Sequence, residues 1–117
     1  MGSGGGNDVA SGAAENVVVA TLTAARTPEA CGYITSPGHA VRALITNLGT
    51  LEKEDGELVL TAVAGGKGSL AERVAHTVAS CGWELRVAPN VRELPPPTGD
   101  EIAALRGWDP RGWFLRG

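Results

Sequence analysis

Apolar positions along the chain fall into a few dense blocks, separated by glycine, proline and charge. The first, within residues 16–23, carries Val17, Val18, Val19 and Leu22. Successive strand residues point to opposite faces, so a consecutive β-branched run predicts a strand covered on both sides. Thr27-Pro28 breaks the run, and Tyr33, Ile34 and Thr35 read as a short extended piece. Ser36-Pro37 then reads as a helix start, because Ser caps well and a proline just inside a helix loses no needed N–H. Val41, Leu44, Ile45 and Leu48 recur at helical spacing, and Gly49 supplies a left-handed stop.

A turn at Asp55-Gly56 leads into residues 58–64, which are almost continuously apolar, as suits a central strand. That run passes into Gly65, Gly66, Lys67 and Gly68, after which Ser69 and Glu72 have the spacing of a capping box. The helix so started presents Leu70, Val74, Val78 and Cys81 on one face and ends at Gly82. Trp83, Leu85 and Val87 alternate with Glu84 and Arg86, which predicts a half-buried strand. Pro95, Pro96 and Pro97 form a stiff connector to a second capping box, Thr98 and Glu101. The short helix there carries Ile102 and Leu105, with Gly107 as its stop.

Strand, helix, strand, helix and strand in alternation imply crossover connections. The expected fold class is therefore α/β: a small three-layer domain with a largely parallel β-α-β-α-β sheet and a C-terminal appendage. The alternative is a ferredoxin-like α+β sheet with an antiparallel hairpin around Asp55-Gly56. Residues 1–14, mostly glycine, serine and alanine, read as a disordered leader. Residues 15–94 read as the α/β domain, and residues 95–117 as proline linker, short helix and aromatic–basic tail.

The 117-residue length fits one domain. With one Phe, one Tyr and three Trp, the core must come from Val, Leu, Ile and Ala. A net charge of −3 argues against capture of nucleic acid or anionic membrane by the whole surface. No apolar run approaches the roughly 20 residues of a membrane span, and no signal peptide is visible, so a cytoplasmic location is expected. Cys31 and Cys81 are too few for a disulfide framework. Neither zinc-ligand spacing nor a calcium loop is present, since Lys53 interrupts the Glu52, Glu54, Asp55 and Glu57 cluster. No metal or other cofactor is expected. His76 falls on the polar helix face, and His39 with Cys31 lacks a third orienting group, so no catalytic residue is assigned.

Two stretches remain as candidate sites. The first is Gly65, Gly66, Lys67, Gly68 and Ser69, between a buried strand and a helix N-terminus, where backbone N–H groups and a lysine suit an anion. It matches neither a Walker A loop nor a dinucleotide fingerprint, and a plain turn competes with the binding reading. The second is the C-terminal run Arg106, Trp108, Arg111, Trp113, Phe114 and Arg116, of the residue types enriched at interface hot spots. The favoured function is a non-catalytic protein-binding or adaptor module whose partner is another protein or a second copy of itself. Single-stranded nucleic acid is set aside on overall acidity. The rival is a small enzyme or sensor that holds a phosphate or nucleotide at the glycine loop.

Overall fold

The structure is a computed structural model and describes residues 4–113. Its elements run α1 (Gly4–Gly12), β1 (Asn16–Ala20), β2 (Val41–Thr46), β3 (Gly49–Glu54), β4 (Glu57–Val63), α2 (Leu70–Ser80), β5 (Val87–Glu93) and α3 (Gly99–Trp108). The five strands form one sheet in sequence order, β1-β2-β3-β4-β5. β1 and β2 are parallel, as are β4 and β5, while β2–β3 and β3–β4 are antiparallel.

This mixed sheet corrects the expected, largely parallel β-α-β-α-β arrangement. The difference lies in residues 36–54. No helix forms over 36–49; Val41–Thr46 is a strand and Gly49 begins the next. Apolar residues at 41, 44, 45 and 48 satisfy a helical period, but the turn decides against it. The Thr46 hydroxyl donates to Gly49 O (2.7 Å) and accepts from Gly49 N–H (2.9 Å), closing a two-residue connection. Asn47 accepts from the Leu22 N–H at 2.9 Å, which fixes that turn against the chain leaving β1. Gly49 is no helix stop: a Cβ there would stand 2.3 Å from Ala62 O, so glycine lets β3 and β4 approach. The next hairpin turns at Asp55 (φ 51°) and Gly56 (φ 88°), both left-handed, as a tight turn matching strand twist requires.

Two further readings differ. Within the stretch expected to be a disordered leader, Gly4–Gly12 is helical, without a buried residue. Its position is held from outside the helix: the Ser36 hydroxyl lies 2.8 Å from Asn7 Oδ1, and Asn16 Nδ2 donates to Ala10 O at 2.8 Å. The strand expected over 83–87 begins only at Val87. Upstream, Gly82 N–H donates to Thr27 O (2.9 Å), drawing the chain towards the segment after β1 and out of the ladder.

The core lies between the middle of the sheet and α2. Leu51, Leu60 and Val63 are fully buried, joined by Leu44 and Leu85, with Val74, Val78 and Trp83 packed against them. Thr77 is the buried residue of α2, its hydroxyl donating to Arg73 O at 2.8 Å. α3 buries none of its residues. Among the described residues, no helix is long and apolar enough to cross a membrane.

Candidate functional site

The glycine loop leaves the carboxyl end of β4 and enters α2. Its carbonyls, rather than its amides, carry the strongest contacts. Arg73 Nη1 donates to Gly68 O (2.6 Å) and Gly66 O (3.2 Å), while Nη2 pairs with Glu93 at 2.5 Å. One guanidinium therefore ties the loop, the first turn of α2 and the end of β5 together. Arg73 was not singled out from sequence, although it lies one helical turn before Thr77 at the border of the apolar face.

At the helix N-terminus the capping box forms as the sequence predicts. Ser69 N–H donates to Glu72 Oε2 (2.7 Å), and Glu72 N–H donates to the Ser69 hydroxyl (3.2 Å). The Ser69 N–H first, and then the Ser69 hydroxyl, which donates to the same Oε2 at 3.0 Å, hold the Glu72 carboxyl below its usual range. A carboxylate thus already stands where the helix N-terminus would favour an external anion. Gly68 takes a φ of 88°, which accounts for glycine at that position without a ligand.

Beside the loop, Lys67, Gly68, Glu72, Arg73 and His76 line a shallow depression of about 390 Å³. Across Arg73, Gly65 and Gly66 line a second, of about 420 Å³, with Glu93, Leu94 and the three prolines as its far wall. Lys67 and His76 are exposed; Glu72 accompanies the basic groups of the first depression, and Glu93 is the charged residue lining the second. The arrangement suits a braced turn at least as well as an anion cradle.

The aromatic–basic end is placed differently. A 3.1 Å bond from Ile102 N–H to Thr98 O opens α3 beneath its own capping box. The helix continues through Gly107 to Trp108, and Asp109 caps it by donating to Leu105 O (2.9 Å). Asp109 then organises the following turn: its Oδ1 accepts from Trp113 N–H, and its carbonyl from Gly112 N–H, both at 2.9 Å. Arg111 lies over the Trp113 ring, 5.5 Å from the centroid. Trp108 is 90% exposed and Trp113 67%. Arg106 is exposed in the last turn of α3, and Phe114 and Arg116 lie outside the described residues. Among the described residues, Trp108 and Trp113 thus add little to the chain's own core.

The other chemistry-bearing residues do not converge on either stretch. Cys31 is exposed and Cys81 half-buried, both free thiols. His39 is exposed beside Lys53, whose ammonium donates to His39 O at 3.0 Å. Among the described residues, no three His, Cys, Asp or Glu side chains group to hold a metal ion.

No family model matches the sequence, and no curated protein matches it. Among solved structures, the chain is similar to glutaconate coenzyme A-transferase from Acidaminococcus fermentans. The TM-score is 0.82 at 20% identity, covering 100% of this chain and 50% of that one. The likeness is one of fold: a mixed five-stranded sheet with three helices, resembling part of a coenzyme A-transferase. This chain spans about half the length of the protein it matches.

Proposed function

We propose that this chain is a non-catalytic, polypeptide-binding part of an assembly built on the coenzyme A-transferase fold. The observation that carries the reading is the state of the aromatic end, where Trp108 and Trp113 contribute little to the chain's own core. Large aromatics flanked by arginines and left in water are the usual anchors of an interface, with the arginines as a polar rim. Arg106, Trp108, Arg111 and Trp113 are the described docking residues, and Phe114 and Arg116 extend the same run. The structural likeness supports the class of assembly, since the matched transferase chain continues for as much again beyond the shared fold. Turnover then belongs to the assembled protein and not to this chain alone.

The test compares the isolated chain, the assembly purified from the cells that make it, and the chain cut after Gly107. Coenzyme A transfer is assayed with glutaconate and an acyl-coenzyme A donor. The isolated chain is expected to be inactive, and the assembly active. The cut chain should stay folded yet bind its partner at least about tenfold more weakly, a loss of roughly 1.4 kcal/mol. Turnover by the isolated chain, or undiminished assembly after the cut, would overturn the reading.

A further inference from the structure

We infer that Asp55 is a site of spontaneous isoaspartate formation, reached when the β3–β4 hairpin opens and held back by Arg86. The inference is independent of the proposed function and concerns a different surface.

The chemistry needs a carboxyl side chain one residue ahead of an unhindered amide nitrogen. The aspartates of the chain stand at Asp8, Asp55, Asp100 and Asp109. Asp8 precedes Val9, whose branched side chain crowds the nitrogen, and Asp100 precedes Glu101. Asp109 precedes Pro110, which has no N–H to lose. Asp55 alone precedes a glycine, and no asparagine does. The ladder between β3 and β4 ends at the pair Glu54 and Glu57, so Asp55 and Gly56 stand outside it. Both are exposed, and a Cβ built on Gly56 would meet nothing within 4 Å. The nitrogen of Gly56 is therefore open to its neighbour's side chain.

The step needs no reagent but water. The Gly56 nitrogen attacks Cγ of the protonated Asp55 carboxyl, and an N–Cγ bond forms. The amide proton leaves with the carboxyl hydroxyl as one water, and a five-membered imide results. One water then adds back at either ring carbonyl. Opening at Cγ restores aspartate. Opening at the backbone carbonyl leaves the chain running through the side chain, which is isoaspartate. Nothing is oxidised or reduced, and the mass is unchanged.

The folded turn opposes this reaction. Asp55 has a φ of 51° and Gly56 one of 88°, both left-handed. The imide ring fixes the Asp55 Cα–C bond in a rotation that a left-handed turn does not have. Attack therefore waits on local opening of the hairpin. Arg86 resists that opening from outside both strands. Its Nη2 lies 3.7 Å from Glu54 Oε2 and its Nε 3.5 Å from Glu57 Oε2. Those glutamates flank the turn, so one guanidinium holds both arms of the hairpin. All three side chains are about half exposed, which makes each ion pair modest and the clamp leaky.

The product does not fit the turn it came from. Isoaspartate lengthens the backbone by one atom, and a two-residue loop matched to strand twist has no place for it. The end of the hairpin at Glu54 and Glu57 should splay and release Arg86. Leu51 and Leu60, paired deeper in the same strands and fully buried, should keep the sheet together.

The experiment incubates the folded, full chain at physiological temperature and samples it over weeks. Isoaspartate is read in peptide maps as a second peak of identical mass that resists an endoprotease cutting before aspartate. It should accumulate at Asp55 and not at Asp8 or Asp100. In Arg86→Gln it should form roughly twofold to fivefold faster, as loss of exposed ion pairs allows. Asp55→Asn keeps a side chain that accepts the left-handed turn. It should form the same imide with loss of ammonia, and so change mass. Asp55→Glu should form no detectable isomer, because the longer side chain closes its ring far more slowly. Absence of isoaspartate at residue 55, equal rates at Asp8 or Asp100, or an unchanged rate in Arg86→Gln would overturn the inference.

Discussion

The sheet has two long edges, and they are built on opposite principles. β5 breaks its register against β4 and carries a proline and two charged residues. β1 keeps consecutive valines in parallel register with β2 and leaves all three in water. One edge of the sheet is thus guarded by proline, charge and a break in register, and the other is left apolar and exposed. The aromatic end follows the same logic, since α3 and the turn after it are well capped locally yet bury nothing. Local order without burial is the common property of the parts that reach outward.

That contrast can be broken most violently in the middle of the sheet. Leu60 is fully buried in β4, so Leu60→Asp places an unpaired carboxylate in the core. The expected loss is about 4 kcal/mol or more, enough to abolish cooperative unfolding in a small domain. Val19→Asp puts the same carboxylate on the bare edge, and thermal melting should move by no more than about 0.5 kcal/mol in the free chain. Comparable losses at both positions would mean that β1 is covered after all.

A smaller effect separates β1 from its anchor. A Cβ at position 82 would stand 2.2 Å from Thr27 O and 2.9 Å from Ala24 O, where the segment after β1 meets the end of α2. Gly82→Ala should therefore cost about 2–3 kcal/mol by calorimetry. A melting point unchanged by this variant would show that the contact is dispensable.

The mildest test is acid. The capping bonds lower the Glu72 carboxyl in the folded chain, and Thr98 does the same for Glu101 in α3, in each case chiefly through a backbone hydrogen bond. A folded value below the unfolded one gives stability that is present above the unfolded value, about 4.3. It is lost as pH falls through the lowered folded value. Both groups are fully exposed, so fraying is expected at the first turns of α2 and α3 and not global unfolding. Amide shifts of Ser69 and Thr98 should titrate together with their glutamates, and Glu72→Gln should abolish the Ser69 response. A Ser69 amide that titrates unchanged in Glu72→Gln would contradict the assignment.

What could be read from the sequence was what short-range chemistry dictates. Both capping boxes form at the residues predicted, the turn falls at Asp55-Gly56, and the apolar run around Leu60 is a buried strand. Residues 36–49 misled because their apolar spacing suits a helix, whereas the deciding bonds come from outside the local period. Asn47 answers an amide 25 residues away, and Gly49 answers the backbone of β4. Similarly, the glycine loop could be located, but not the Arg73–Glu93 pair that braces it across 20 residues. The valines of β1 were expected to be covered on both faces. The pattern marks a strand suited to the interior; among the described residues Ala20 packs against the core, while Val17, Val18 and Val19 stay exposed.

Hydrogen exchange at the β1 amides is the most direct measurement of that claim. In the free chain, the outward amides of Val17 and Val19 should exchange far faster than those of Leu51 and Leu60. Protection of the β1 amides equal to that of Leu51 and Leu60 would contradict the account.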